Sequence, residues 1–219
     1  MNLLQFFREN QAQVLELTLE HLGMVGVSML IAVLIGIPLG ILISRHPAWN
    51  RPIIGGANII QTIPSLALFG MLLPVPWIGA RAERLSILAL TLYALLPLIR
   101  NTYAGIKGVD PAVVEAGRGM GMTDRQVLWQ LEIPLALGVI LAGVRVATVI
   151  SVGLATIAAA VGAGGLGEFI FRGLASVNNQ LILAGAIPAA ALALLADTLL
   201  GWLERRLSRQ TATGEVAVG

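Results

Sequence analysis

Cysteine is absent from the 219 residues. Disulfide frameworks and thiolate metal sites are thereby excluded, and the redox compartment stays open. Lysine occurs once, as Lys107 after Ile106, so the Gly-Lys of a Walker A phosphate loop is missing and ATP hydrolysis by that route is excluded. The two histidines, His21 and His46, stand too far apart to make a spaced ligand pair, and no nucleophile elbow or acid–base carboxylate pair is present. No catalytic residue, metal site or cofactor is expected. Charged residues are only 12% and aromatic ones 5%, against 57% hydrophobic residues and a mean hydropathy of +0.85. That balance describes a polytopic membrane protein, with the lipid bilayer as its solvent. A net charge of +2 leaves no nucleic-acid footprint.

Residues 1–20 mix Phe6, Phe7, Val14, Leu15 and Leu19 with Arg8, Glu9, Glu16 and Glu20, a pattern that predicts an amphipathic segment at the membrane interface. It is not expected to be a secretory leader, because the following apolar run is too long and lacks a small-residue cleavage site. His21–Ser44 contains no Asp, Glu, Lys or Arg, enough as a helix to cross about 30 Å of hydrocarbon. A second span falls within 52–80 and is interrupted by Gln61-Thr62-Ile63-Pro64-Ser65. Proline removes a helical hydrogen bond, and the neighbouring polar groups cannot be satisfied by lipid. Either the kink lines a solute path through Gln61, Thr62, Pro64 and Ser65, or a neighbouring helix staples it.

Further spans are expected from Leu85 to about Tyr103–Lys107, from Pro134 to about Ala160, and from Leu181 to Leu203. About five spans thus fill residues 21–206, and 207–219 read as a disordered tail. Gly162–Gly167 spells G-x-G-x-x-G, but without a preceding strand it predicts a tight turn, not a dinucleotide site. Residues 162–179 form either a simple loop or a partly re-entrant hairpin. With the N-terminus outside, nine basic residues fall on the inner side and four on the outer, as the positive-inside rule requires. Arg145 and Asp197 remain inside spans, where charge is costly; they are expected either to pair or to sit separately in an aqueous vestibule.

The loop 108–134 lies on the inner side and is built as structure. Asp110 suits an N-cap and Pro111 the first helical position. Gly119 and Gly121 should end that helix, and Thr123 with Gln126 offers a second cap. Two short helices joined at glycine are predicted, with Ala112, Val113, Ala116 and Met120 near one face of the first and Val127, Leu128 and Leu131 on one face of the second.

Glu115-Ala116-Gly117, then Gly121, then Leu131-x-Ile133-Pro134 after nine residues resembles the EAA loop of permease subunits of bacterial ABC importers, with Gly117 replacing the second alanine. Over most of the chain, Gln61–Gly70, Leu95–Tyr103, Arg118–Met122 and Gly162–Gly167 are similar to the osmoprotectant branch of those permeases, which carries glycine betaine, carnitine and choline. The resemblance implies an all-α, type I importer permease in the bacterial inner membrane, without catalysis of its own. It also implies partners: cytoplasmic ATPase subunits that receive Glu115, Ala116, Gly117, Gly121, Leu131, Ile133 and Pro134, a second permease of the same or another chain, and an extracytoplasmic substrate-binding protein. At 219 residues no fused binding domain is expected. Aromatic cages for a quaternary cation would belong to that outer protein. Two other readings are a methionine-type amino-acid permease and an ion-coupled secondary transporter, the latter expected to carry inverted repeats.

Overall fold

The computed structural model describes residues 3–213, which contain helices and no strand. A short α1 (Leu3–Glu9) precedes α2 (Gln11–Arg45). Leu17, His21, Met24, Ser28, Ala32, Gly36, Gly40 and Ile43 are buried at intervals of three and four residues, so one continuous stripe seats the whole of α2. The expected break at residue 20 is therefore absent: 11–20 are the first turns of a 35-residue helix, and only α1 is separate. Glu16 and Glu20 misled the reading because they lie on the exposed side of that stripe.

After α2 the chain folds into α3 (Pro47–Thr62) and α4 (Ser65–Leu72), which meet at a 99° bend. The proline loop leads to α5 (Ala82–Lys107). Next come α6 (Pro111–Gly119) and α7 (Asp124–Gln126), the latter running through a π-helical stretch, Val127–Glu132, into α8 (Ile133–Ala158). A turn carries the chain to α9 (Gly167–Ala175), a short helix that replaces the simple loop between the last two crossings, and then to α10 (Asn179–Thr213). Helix α10 thus continues into the expected tail, whose residues 214–219 lie outside the described ones.

Contacts fix the directions. Ser28 Oγ donates to Ile87 O, Thr91 Oγ1 donates to Ser28 O, and Gly40 lies against Thr102, so α2 and α5 run parallel. Two parallel crossings joined by 46–81 need a return between them, and the bent α3–α4 pair supplies it. Four long apolar helices and this broken one make five crossings. Helix α8 runs against its neighbours: Gly143 meets Asn101 and Pro97, while Gly105 meets Ala136.

Lipid is as apolar as leucine, so association depends on close packing and on interhelical hydrogen bonds. A Cβ on Gly40 would fall 2.5 Å from Cβ of Thr102, and one on Gly143 would fall 2.6 Å from Cβ of Asn101. Phe69, Leu85, Leu90 and Leu98 fill the main core between the crossings. On the outer side Glu20 accepts the N–H of Gly165 at 2.9 Å, where Gly164 and Gly165 take φ of 78° and 75°. The glycine run is thus the expected turn, tied back to α2.

Two outcomes follow from this packing. Gly40→Leu is expected to destabilise the bundle by about 1–3 kcal/mol through overpacking, whereas Gly23→Ala, which meets nothing within 4 Å, should be close to neutral; thermal unfolding in detergent compares them. In this cysteine-free chain, Met120→Cys should react with an impermeant maleimide only from the inner side and Val177→Cys only from the outer side. Labelling of both from one side would refute the five-crossing arrangement.

Candidate functional site

The inner-face hairpin begins where Asp110 Oδ1 accepts the N–H of Ala112 at 2.9 Å and Pro111 opens α6. Its end is a complete Schellman motif. Met122 N–H donates to Gly117 O at 3.1 Å, Gly121 N–H donates to Arg118 O at 2.9 Å, and Gly121 takes φ of 85°. Thr123 then closes a capping box: Gln126 N–H donates to Thr123 Oγ1 at 3.3 Å, and Thr123 N–H donates to Gln126 Oε1 at 2.8 Å. Both helix starts and the glycine hinge lie where the sequence predicts.

The second arm differs from expectation. It is no separate short helix, and the fourth crossing does not begin at Pro134, because one helical rod runs from Asp124 to Val161. Pro134 has no N–H to offer, and its ring would crowd the carbonyl four residues earlier. The rod accommodates it by winding wider: Ile133 N–H donates five residues back, to Leu128 O, at the end of the π stretch. Pro134 and Ile133 are half-buried there.

Packing sets which residues the hairpin offers. Gly117 is buried, and a Cβ on it would stand 2.6 Å from Leu131 Cδ1 and 3.2 Å from Met122 Sδ. The glycine that departs from the EAA pattern is the contact that lets α6 lie on the rod. Val127 is fully buried beneath it, and Leu131 is half-buried. Ala112, Glu115, Ala116 and Met120 remain exposed, Met120 to 76%. The outward face is thus a small apolar strip with one carboxylate. Arg118 and Asp124 pair across the hinge at 3.1 Å, but both are largely exposed and the pair contributes little.

A pair with a buried carboxylate, by contrast, anchors the rod. Arg45, the last residue of α2, binds Glu132, whose side chain is only 7% exposed. Neither residue was singled out in the sequence. The available signal was an acid between Leu131 and Ile133 on an apolar face, on the same side of the membrane as the arginine that ends the first span.

Two other constellations stand apart from the hairpin. At the bend between α3 and α4, Gln61 Nε2 donates to Tyr93 O at 2.9 Å, and the Tyr93 hydroxyl donates to Ile63 O. Gln61 and Tyr93 therefore staple the break reciprocally. Thr62 and Pro64 are exposed beside it, and Ser65 is half-buried. In the second, Arg145 reaches α10: Nε donates to Asp197 Oδ1 at 2.6 Å and Nη2 to Asp197 Oδ2 at 2.9 Å. Glu204 lies 3.5 Å from Nη1 as a second acceptor, and the guanidinium rests over Gly201. The bidentate fork fixes geometry as well as charge. Among the described residues no cluster of His, Asp or Glu could hold a metal ion.

Residues 32–209 match the family described as binding-protein-dependent transport system inner membrane component. The carnitine transport permease protein OpuCD of Listeria monocytogenes is 47% identical over 207 residues, covering 94% of this chain and 92% of that protein. The glycine betaine/carnitine/choline transport system permease protein OpuCD of Bacillus subtilis is 48% identical over 204 residues, covering 93% and 88%. The choline transport system permease protein OpuBD of the same organism is 45% identical over 207 residues, covering 94% and 90%. Among solved structures, the fold matches an inward-facing form of the MetNI methionine ABC transporter with a TM-score of 0.78 at 24% identity, covering 86% of this chain and 93% of that one. It matches an amino acid ABC transporter crystallised with histidines equally well, TM-score 0.78 at 19% identity, covering 94% and 99%. With five crossings, an inner-face helical hairpin and a family match over residues 32–209, the chain belongs to the inner-membrane components of binding-protein-dependent transport systems.

Proposed function

We propose that this chain is the membrane-spanning subunit of an ATP-driven importer for quaternary-amine osmoprotectants such as carnitine, choline and glycine betaine. The three relatives at 45–48% identity support that substrate class over an amino acid, since likeness to the methionine transporter and to the amino acid transporter, at 24% and 19%, extends to the fold alone. The observation that carries the mechanism is the exposed strip of Ala112, Glu115, Ala116 and Met120 on a hairpin rigidly joined to a membrane crossing.

A separate cytoplasmic ATPase receives that strip. When it moves, the hairpin moves with it, because Gly117 against Leu131 and the Schellman turn leave little play between α6 and the rod. The rod passes the displacement to α8, and α8 to the bent crossing, where Thr62, Pro64 and Ser65 line the solute path and Gln61 holds the bend. This is a two-state coupling, in which the partner favours one arrangement of the bundle over the other. A second permease subunit completes the path, and an outer binding protein delivers the solute. The Arg145–Asp197 fork holds α10 to the moving rod.

Uptake into vesicles containing the chain with its ATPase and binding protein tests the substrate class. Labelled carnitine, choline or glycine betaine should accumulate with ATP, and methionine should not; uptake at full rate without any ATPase would rule out the ATP-driven reading. Glu115→Lys and Gly121→Val should insert normally yet lower uptake at least about tenfold. Gly121→Val forces a β-branched residue into left-handed backbone at a cost of about 1–2 kcal/mol or more. Normal transport by both variants would remove the docking assignment. For the fork, Arg145→Asp and Asp197→Arg should each impair folding or transport, and the double swap should restore part of the loss. Failure of the swap would show that α10 is held by other means.

A further inference from the structure

A cavity of about 550 Å³ opens at the inner end of the bundle, between the ends of α2 and α5 and the hairpin. Arg45, Lys107, Arg118 and Arg125 line it, with Asp124 as the lining acid, and Ser44 and Leu128 complete its wall. Arg45 and Arg118 are already engaged by Glu132 and Asp124. Lys107 and Arg125 are exposed and form no ion pair among the described residues. The cavity therefore keeps two uncompensated cations.

A second cavity, about 400 Å³, has the opposite chemistry. Pro38, Ile41 and Leu42 of α2 line it together with His46, Trp129 and the same Arg45. It is an apolar groove along the last two turns of the first crossing, and Arg45 stands where it meets the cationic cavity. Trp129, which lines this groove, is 59% exposed, and indole rings favour the membrane–water interface.

We propose that the two cavities form one site for an anionic phospholipid of the inner leaflet. The phosphate sits among Arg45, Lys107 and Arg125, and one acyl chain lies along Pro38, Ile41 and Leu42 against Trp129. A soluble phosphate would use the cationic half and leave the apolar half empty; a zwitterionic lipid would fill the groove and offer a phosphate, but its own ammonium would cancel that charge and leave the unpaired cations uncompensated. Only an anionic lipid matches both halves. Its headgroup would bridge α2, α5 and the start of the rod beside the π stretch, and so stiffen the joint between hairpin and bundle. The inference needs the membrane placement of the chain but not the identity of the solute.

The test uses the full chain with Trp129 as its sole tryptophan (Trp49→Phe, Trp77→Phe, Trp202→Phe), reconstituted in phosphatidylcholine with increasing brominated lipid. Brominated phosphatidylglycerol should quench Trp129 at a several-fold lower mole fraction than brominated phosphatidylcholine. Juxtamembrane cations each contribute roughly 1 kcal/mol, about fivefold, so Lys107→Gln with Arg125→Gln should abolish the several-fold preference. Raising salt should weaken it in the unsubstituted cavity, a readout that survives if the double variant does not fold. Equal quenching by the two lipids would overturn the proposal, as would a preference indifferent to both substitution and salt. Complete competition by glycerol phosphate would assign the cavity to a free anion instead and would equally overturn it.

Discussion

Contact between helix faces trimmed to glycine is what the rest of the molecule depends on. In water a bundle of this size could rely on the expulsion of solvent, but lipid gives no such drive between apolar helices. Helix α5 lies close to α2 at Gly40 and to α8 at Gly143 and Gly105, and hydroxyl groups of Ser28 and Thr91 add hydrogen bonds across the first of these seams. Because α5 is held on both sides, α2 and α8 keep a fixed spacing. Every functional feature then has a stable reference: the stapled bend rests on Tyr93 of α5, and the inner hairpin rests on the extension of α8.

The inner and outer faces are finished differently. Outside, a single carboxylate, Glu20, holds a glycine turn whose backbone would otherwise have a free N–H. Inside, Arg45, itself half-buried, pairs with the buried Glu132 and joins the end of the first crossing to the foot of the fourth. Leaving the buried Glu132 carboxylate without its partner is costly, so the two helix ends are held together. The hairpin is thus carried by a joint with two fixed points, Gly117 against Leu131 and Arg45 against Glu132.

Much of this was legible in the sequence where the cause is local. The Asp110-Pro111 start, the Thr123 capping box and the left-handed Gly121 depend on residues within four positions of one another, and each stands where its chemistry puts it. Arg145 and Asp197 stood out for a different reason, that an apolar span leaves a lone charge few partners, but the choice between pairing and separate solvation was open until α8 and α10 were seen side by side. What stayed hidden depends on distant segments. Glu16 and Glu20 made the first turns of α2 look interfacial, and only the buried stripe running through Leu17 and the distant Gly165 explain them. Gln61 offered two fates, and its amide is committed to a carbonyl 32 residues away. The uninterrupted rod through Pro134 was missed because proline near a polar loop reads as a beginning; here wider winding ahead of it preserves continuity.

That wider winding also sets an angle. A π turn holds one residue more than the ladder around it needs, and one residue corresponds to about 100° of rotation about a helix axis. Between Val127 and Glu132 the chain therefore brings the hairpin-facing stripe, Val127 and Leu131, about 100° nearer the stripe of Ala136, Ile140 and Gly143 that faces the bundle than a regular helix of the same length would. A chain one residue shorter here would make a more regular helix with its inner projection at the same azimuth, whereas an unwidened helix of the present length would aim it elsewhere.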